Sequence, residues 1–261
     1  MSGYSVRGLN WFNALSVGTK AVEGLPPSLK VADGELGRLI AVVADPDNRF
    51  PRARNGEVGL LEGWGLAKAV DDAITADRDN TRKRPIIAIV DVPSQAYGRR
   101  EEALGIHQAL AGAADSYARA RLAGHPVIAL LVGKAMSGAF LAHGYQANRL
   151  IALRDPGVMV HAMGKASAAR VTLRSVEELE ALAASVPPMA YDIDSYASLG
   201  LLWETLSVQQ IEQPTAEDLA RVTECLKQAI DDISSTDLRK RLGAKNREAS
   251  SRVRELLRAQ W

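Results

Sequence analysis

Apolar positions along the chain fall into two kinds of block. Leu39 to Val43, Pro85 to Val90, Val127 up to Gly133, Arg149 to Leu153 and Val158 to His161 are short, nearly continuous and rich in β-branched residues. Runs of this kind read as strands buried on both faces of a sheet. Between them lie longer segments with a helical period. One runs from Val58 to about Asp77 and carries Leu60, Leu61, Trp64, Ala67 and Val70 to Ile74. Another is Ala-rich and runs from Glu101-Glu102 to about Leu122, where Gly124-His125-Pro126 stops it. Strands alternating with helices predict a parallel or mixed sheet with right-handed crossovers.

From Ser175 onward the pattern is helical. Ser175-Val176-Glu177-Glu178 has the form of a capping box, Pro187-Pro188 breaks the helix, and Thr215-Ala216-Glu217-Asp218 opens another to about Ile233. The tail from Asp237 to Trp261 is charged, with leucines at 238, 242, 256 and 257. It is too short for a coiled coil and is expected to pack across the body or onto a neighbouring subunit. Residues 1–30 read as irregular, with a short amphipathic piece at Leu9-Asn10-Trp11-Phe12 whose aromatics either cap the chain's own core or meet a partner. The expected organisation is one domain over residues 1–261, with that N-terminal segment and a helical region from 175 to 261.

Composition narrows the function. Of 261 residues, 47% are hydrophobic and 24% charged, as in an ordinary globular chain. The net charge of +1 favours neither nucleic acid nor an anionic membrane. With 5% aromatics, a stacking platform for single strands is not expected. Cys225 is the one cysteine, so neither an intrachain disulfide nor a Cys-based metal site is expected, and no His/carboxylate cluster at ligand spacing appears. The N-terminus has no secretory pattern and no window approaches a membrane span, which predicts a cytoplasmic location.

Two stretches carry chemistry. In Val127 to Gly144 a buried strand is followed by Gly133-Lys134-Ala135-Met136, read as a turn, and then by Ser137-Gly138-Ala139. Small residues at that point let a helix start tightly against a sheet and leave its first N–H groups open to developing negative charge. Close helix–sheet packing explains the same residues without a ligand. The second stretch, Asp91-Val92-Pro93-Ser94-Gln95-Ala96-Tyr97-Gly98-Arg99, is richer than a connection requires. Arg49, Arg52 and Arg54, around Pro51, are either a solvated loop or a docking surface for an acidic partner or a phosphate.

Together, Val90 to Gly98 with Glu101, Glu102 and Gly105, and Gly133 to Gly144, resemble the two glycine-containing loops of acyl-CoA carboxyltransferases. The chain is most similar to the gamma subunits of biotin-independent malonate decarboxylases, along essentially its whole length. The resemblance implies an α/β crotonase-type (ClpP/crotonase) fold of ββα units. It also implies a heteromeric enzyme in which this chain pairs with a beta subunit, as a heterodimer or a dimer of heterodimers. The substrate implied is malonyl-S-acyl carrier protein, held on a phosphopantetheine-type arm, with no biotin and no tightly bound cofactor. The same region resembles Clp-type serine peptidases, with Ser137 as nucleophile and His161 as base, although the A-x-S-x-A sequence is not the G-x-S-x-G elbow; a non-catalytic scaffold of the same fold that completes a partner's site is the third reading.

Decarboxylation of a malonyl thioester leaves an enolate whose oxygen needs hydrogen-bond donors. Candidate donors are the backbone N–H groups of Gly98 or Arg99 in the first loop and of Ser137, Gly138 or Ala139 in the second. Tyr97, His161, or Ser137 through a water could deliver the proton, and Lys134 could meet the phosphate of the arm. Each has a structural alternative: Ser137 as a helix N-cap, His161 as a core histidine, Lys134 as a solvated cation. His107 and His143 are expected to be structural, on helices facing other elements, and His125 to be a turn residue.

Overall fold

The structure, a computed structural model, describes residues 4–234, 238 and 244–261. The chain begins with helix α1 (Arg7–Leu15) and strands β1 (Lys20–Ala21), β2 (Leu29–Gly34) and β3 (Gly37–Val42). Helix α2 (Leu60–Ala76) leads to β4 (Ile86–Val92), then α3 (Arg99–Ala103) and α4 (Ile106–Leu122) lead to β5 (Val127–Met136). Next come α5 (Ser137–Ala142), β6 (Arg149–Leu153), β7 (Met159–His161), α6 (Lys165–Val171), α7 (Val176–Ala183) and α8 (Ile193–Ser198). Strand β8 (Glu204–Leu206) and helices α9 (Ala216–Asp231) and α10 (Glu248–Gln260) complete it.

The strands form one mixed sheet in the order β1-β2-β3-β4-β5-β6-β8, with β7 paired to β5 outside that path. β1, β2 and β3 are antiparallel neighbours, and every pairing from β3 onward is parallel. β3, β4 and β6 are buried along their whole lengths, and β5 is buried except at Lys134, as continuous apolar runs require. This sheet and the residues packed on it make up the main core.

Several expectations need correction. Residues 4–30 are not irregular throughout. They hold α1, in which Trp11 is fully buried and its Nε1 donates to the Ile211 carbonyl at 2.8 Å. Trp11 and Phe12 therefore cap the chain's own core. Gly133 does not begin a turn, because β5 runs straight through it for ten residues. Glycine stands there for space: a methyl carbon on Gly133 would lie 2.0 Å from Asp91 Oδ1.

The helix expected from Glu101 to Leu122 is two helices, divided where Gly105 takes a left-handed φ of 82°. The C-terminal region contains a strand, β8, which extends the sheet beside β6. Its short, part-exposed sequence gives no period to read.

The capping boxes at Ser175 and Thr215 both form. Of the tail leucines, Leu256 and Leu257 are exposed on α10, a helix with no buried residue, and Leu238 is half-buried. Asp237 and Leu242 lie outside the described residues. Cys225 is buried on α9, and burial pushes its thiol up to about 11. Among the described residues, no helix is long and apolar enough to cross a membrane and no group of three or more His, Cys, Asp or Glu could hold a metal.

Candidate functional site

The site is built at the end of β5. There Met136 is the N-cap of α5, and Ser137 follows with a left-handed φ of 60°. An L-residue in that region carries strain of about 1–2 kcal/mol. The bend turns the chain from strand into helix within one residue. Ser137 is therefore not the N-cap, and Met136 supplies no side-chain hydrogen bond to the first turn. The first N–H groups of α5 have no carbonyl one turn behind them.

The second half of β5 pairs with β7, which sets Met136 opposite His161. Ser137, Gly138 and His161 consequently line one cavity of about 350 Å³. Its remaining walls are apolar or aromatic, from Phe140, Leu141 and Tyr145 on one side and Pro188, Leu199 and Leu201 of the C-terminal region on another. No lining residue carries a charged side chain.

His161 is held firmly. Its ring stacks on Tyr191 with centroids 3.9 Å apart and planes 13° from parallel. Its Nδ1 lies 3.0 Å from the Met163 carbonyl oxygen and 3.2 Å from the Met163 N–H. The Tyr191 hydroxyl donates to that carbonyl at 2.9 Å. Burial pushes the His161 pKa below the ordinary value, partly opposed by the Met163 carbonyl, so the ring is neutral near pH 7. With Nδ1 occupied by Met163, Nε2 is the ring nitrogen left for proton exchange. No hydrogen bond links Ser137 to His161 among the described residues, so the geometry holds no assembled nucleophile–base pair.

The first loop reaches the site through Gln95. Val58 and the loop pair through Val58 N–H to Ser94 carbonyl at 3.1 Å and Ala96 N–H to Val58 carbonyl at 2.8 Å. This seats the Gln95 side chain over α5, where a methyl carbon on Gly138 would lie 2.1 Å from Gln95 Oε1. Gln95 was not singled out from the sequence, and only its place in that loop could have pointed to it. Tyr97, Gly98 and Arg99 do not line the cavity. Tyr97 and Arg99 are exposed, and Gly98 lies against Glu101 and Arg52.

Ala139 is buried in the core and presents only its backbone to the first turn of α5. Lys134 is exposed, and its N–H donates to Asp91 Oδ1 at 3.1 Å. The other carboxylate oxygen, Asp91 Oδ2, accepts from Ser5 and from the Gly8 N–H at 3.1 Å. Asp91 thus ties the N-terminal helix to the two strands that end at the site.

The other histidines are accounted for. His143 is fully buried, with Nε2 donating to the Ile89 carbonyl and Nδ1 accepting from the Tyr117 hydroxyl, each at 3.0 Å. Burial pushes it down to about 4. His125 is buried with Nδ1 2.9 Å from the Arg84 carbonyl. His107 is exposed on α4 rather than facing another element.

A mixed sheet with a left-handed strand-to-helix junction, and a loop from the neighbouring parallel strand laid over it, is the arrangement of a crotonase-fold protein. The transcarboxylase 12S subunit has this fold, with a TM-score of 0.63 over 88% of this chain and 41% of that one, at 20% identity. The chain belongs to the malonate decarboxylase gamma subunit family, whose model matches residues 53–261.

A Pseudomonas malonate decarboxylase hetero-tetramer solved with coenzyme A is 73% identical over 98% of this chain and 99% of that chain, with a TM-score of 0.93. The Pseudomonas MdcD-MdcE hetero-dimer is 70% identical over the same shares, with a TM-score of 0.90. The malonyl-S-ACP:biotin-protein carboxyltransferase MADD of Malonomonas rubra is 36% identical over 192 residues, which are 72% of this chain and 65% of that protein. The chain thus spans just under two thirds of that curated relative.

Proposed function

We propose that this chain pairs with a beta subunit and that the pair decarboxylates malonyl-S-acyl carrier protein to acetyl-S-acyl carrier protein. Membership of the family supports the reaction. The observation that carries the site is the uncharged cavity with Ser137 and Gly138 on one wall and His161 on another.

The phosphopantetheine-type arm brings the malonyl group to the cavity. The bond between the carboxylate carbon and the methylene carbon breaks, CO₂ leaves, and the electron pair stays behind as a thioester enolate. The enolate oxygen takes hydrogen bonds from the first N–H groups of α5, at Ser137, Gly138 or Ala139. Removal of one such donor typically costs about 10²–10³ in rate. A carboxylate in a cavity without cations is not anchored in the ground state, and its charge disperses as CO₂ forms, so the barrier falls. In the neutral tautomer whose Nδ1 accepts from the Met163 N–H, His161 Nε2 carries the proton; it passes that proton to the enolate carbon to give the acetyl group, and the ring takes a proton back from solvent. Ser137 through a water is the competing donor.

The reaction ends in protonation rather than transfer of the carboxyl group, so it uses no biotin, and it takes place in the cytoplasm. The test is release of labelled CO₂ from malonyl-carrier by the co-purified beta and gamma subunits. A folded, paired complex that releases none, with or without avidin present, overturns the reading.

A further inference from the structure

The site lies beside a group of cations that the proposed chemistry does not use. Elsewhere Arg7, Arg38, Arg84, Arg119 and Arg149 each hold a carboxylate at 2.6 to 2.8 Å. Arg49, Arg52, Arg99 and Arg100 are all exposed. Among the described residues, none of these four lies within 4.0 Å of a carboxylate oxygen.

They come from two separate segments and are brought together by structure. The Arg49 guanidinium carbon lies 4.7 Å from the centre of the Phe50 ring and that of Arg100 lies 5.2 Å from it. Phe50 is itself 2% exposed, so it is a fixed platform. Cation–ring contacts of this kind hold guanidinium groups in place without neutralising them. The Arg52 stem approaches Gly98, with its Cγ 3.7 Å from where a side chain would begin, and Arg99 is the next residue. Gathering like charges that form no ion pair is unfavourable in the free protein. A net charge of +1 makes the cluster a local feature rather than a reflection of the whole chain.

Its position relative to the cavity follows from the first loop. Gln95 overlies Gly138 on the cavity wall, and Gly98, three residues later, lies against Arg52. Three residues span at most about 10 Å. A protein docked on these arginines would therefore begin close to the cavity, within reach of a flexible arm.

The geometry points to Arg49, Arg52, Arg99 and Arg100 as the docking surface for the acyl carrier protein that delivers the malonyl group, met through a face whose charge is complementary to theirs. The proposal rests on the carrier-dependent reading above. Its charge complementarity acts on encounter and orientation, which is where exposed interfacial charges have most effect.

The test uses the paired complex with the triple variant R49E/R52E/R100E, and R49K/R52K/R100K as the conservative control. For malonyl-carrier, the wild-type KM is expected to rise with salt, and the charge reversal to raise KM at least tenfold with kcat unchanged and to abolish that salt dependence. The lysine variant is expected to keep most of the affinity. With malonyl-pantetheine, which has neither carrier nor phosphate, KM is expected not to change.

An unchanged carrier KM overturns the proposal. So does an equal rise for malonyl-pantetheine, which would place the cluster in the reaction site. An equal rise for malonyl-phosphopantetheine would assign it to the arm's phosphate and overturn docking of a protein face. Direct titration of the carrier onto the complex is read alongside. If wild type binds carrier and the charge reversal does not, docking stands even where no CO₂ is released and the decarboxylase reading fails.

Discussion

Tyr191 lies flat against His161 while its hydroxyl bonds the same Met163 carbonyl that faces His161 Nδ1. The stack excludes water from one face of the imidazole, and burial is the main reason for the lowered pKa. Replacing Tyr191 by Ala therefore moves the His161 titration upward, toward the ordinary value. Lys165 stands 5.5 Å from the Tyr191 ring and is tied to Glu180 at 2.7 Å, so it carries its own counter-charge. NMR titration of the His161 ring protons reads the effect. An unmoved midpoint would show that the stack does not set the protonation state.

His143 gives the chain a defined weakness to acid. Its folded pKa of about 4 is below the ordinary 6.5, so the folded state favours the neutral ring. The stability this contributes is complete above about pH 6.5 and is lost as pH falls toward 4, up to about 3 kcal/mol. Burial lowers His125 and His161 as well, so urea denaturation at pH 7.5 and at pH 4.5 is compared between wild type and His143→Gln to isolate it. Tyr117→Phe leaves Nδ1 buried without its donor and is expected to cost about 1–3 kcal/mol at neutral pH.

Two glycine substitutions separate packing from function. Gly133→Ala drives a carbon into Asp91, whose carboxylate is fixed by Ser5, Gly8 and Lys134 and cannot retreat. The expected cost is about 1–3 kcal/mol in stability. Gly138→Ala clashes with the end of the Gln95 side chain, which can swing away, and otherwise meets Leu110 Cδ1 at an ordinary 3.4 Å. Its melting temperature should stay close to that of the wild type while decarboxylation falls at least tenfold. Thermal melts and single-turnover assays on the paired complex distinguish the two.

At Ser137 the expected change is a gain. Glycine adopts a φ of 60° without the strain that serine carries, so Ser137→Gly should raise stability by about 0.5–1 kcal/mol. Activity should remain if the backbone N–H is what matters, and fall if the hydroxyl relays the proton. Ser137 should also resist a fluorophosphonate, since no base is bonded to it.

The sheet was legible because its strands are long apolar runs, and the parallel core from Leu39 to Leu153 lies where the pattern places it. The errors have physical causes. Gly133 reads as a break, but it answers to Asp91, forty-two residues earlier in the chain, and no local pattern contains that contact. β8 owes its strand to β6 rather than to its own three residues. Small residues pointed to a tight helix start near Ser137, and its link to the histidine strand came only from the resemblance to Clp-type peptidases. Tyr191 and Gln95 could not be anticipated, because each acts through a neighbour brought to it by folding.

The buried thiol on α9 has a practical consequence. With Cys225 enclosed and its pKa near 11, the native chain presents almost no thiolate to solvent at neutral pH. A cysteine introduced on an exposed position would react selectively with a maleimide dye without removal of the native residue. A fluorophore placed at the edge of the arginine cluster could then report a carrier's arrival and departure in real time.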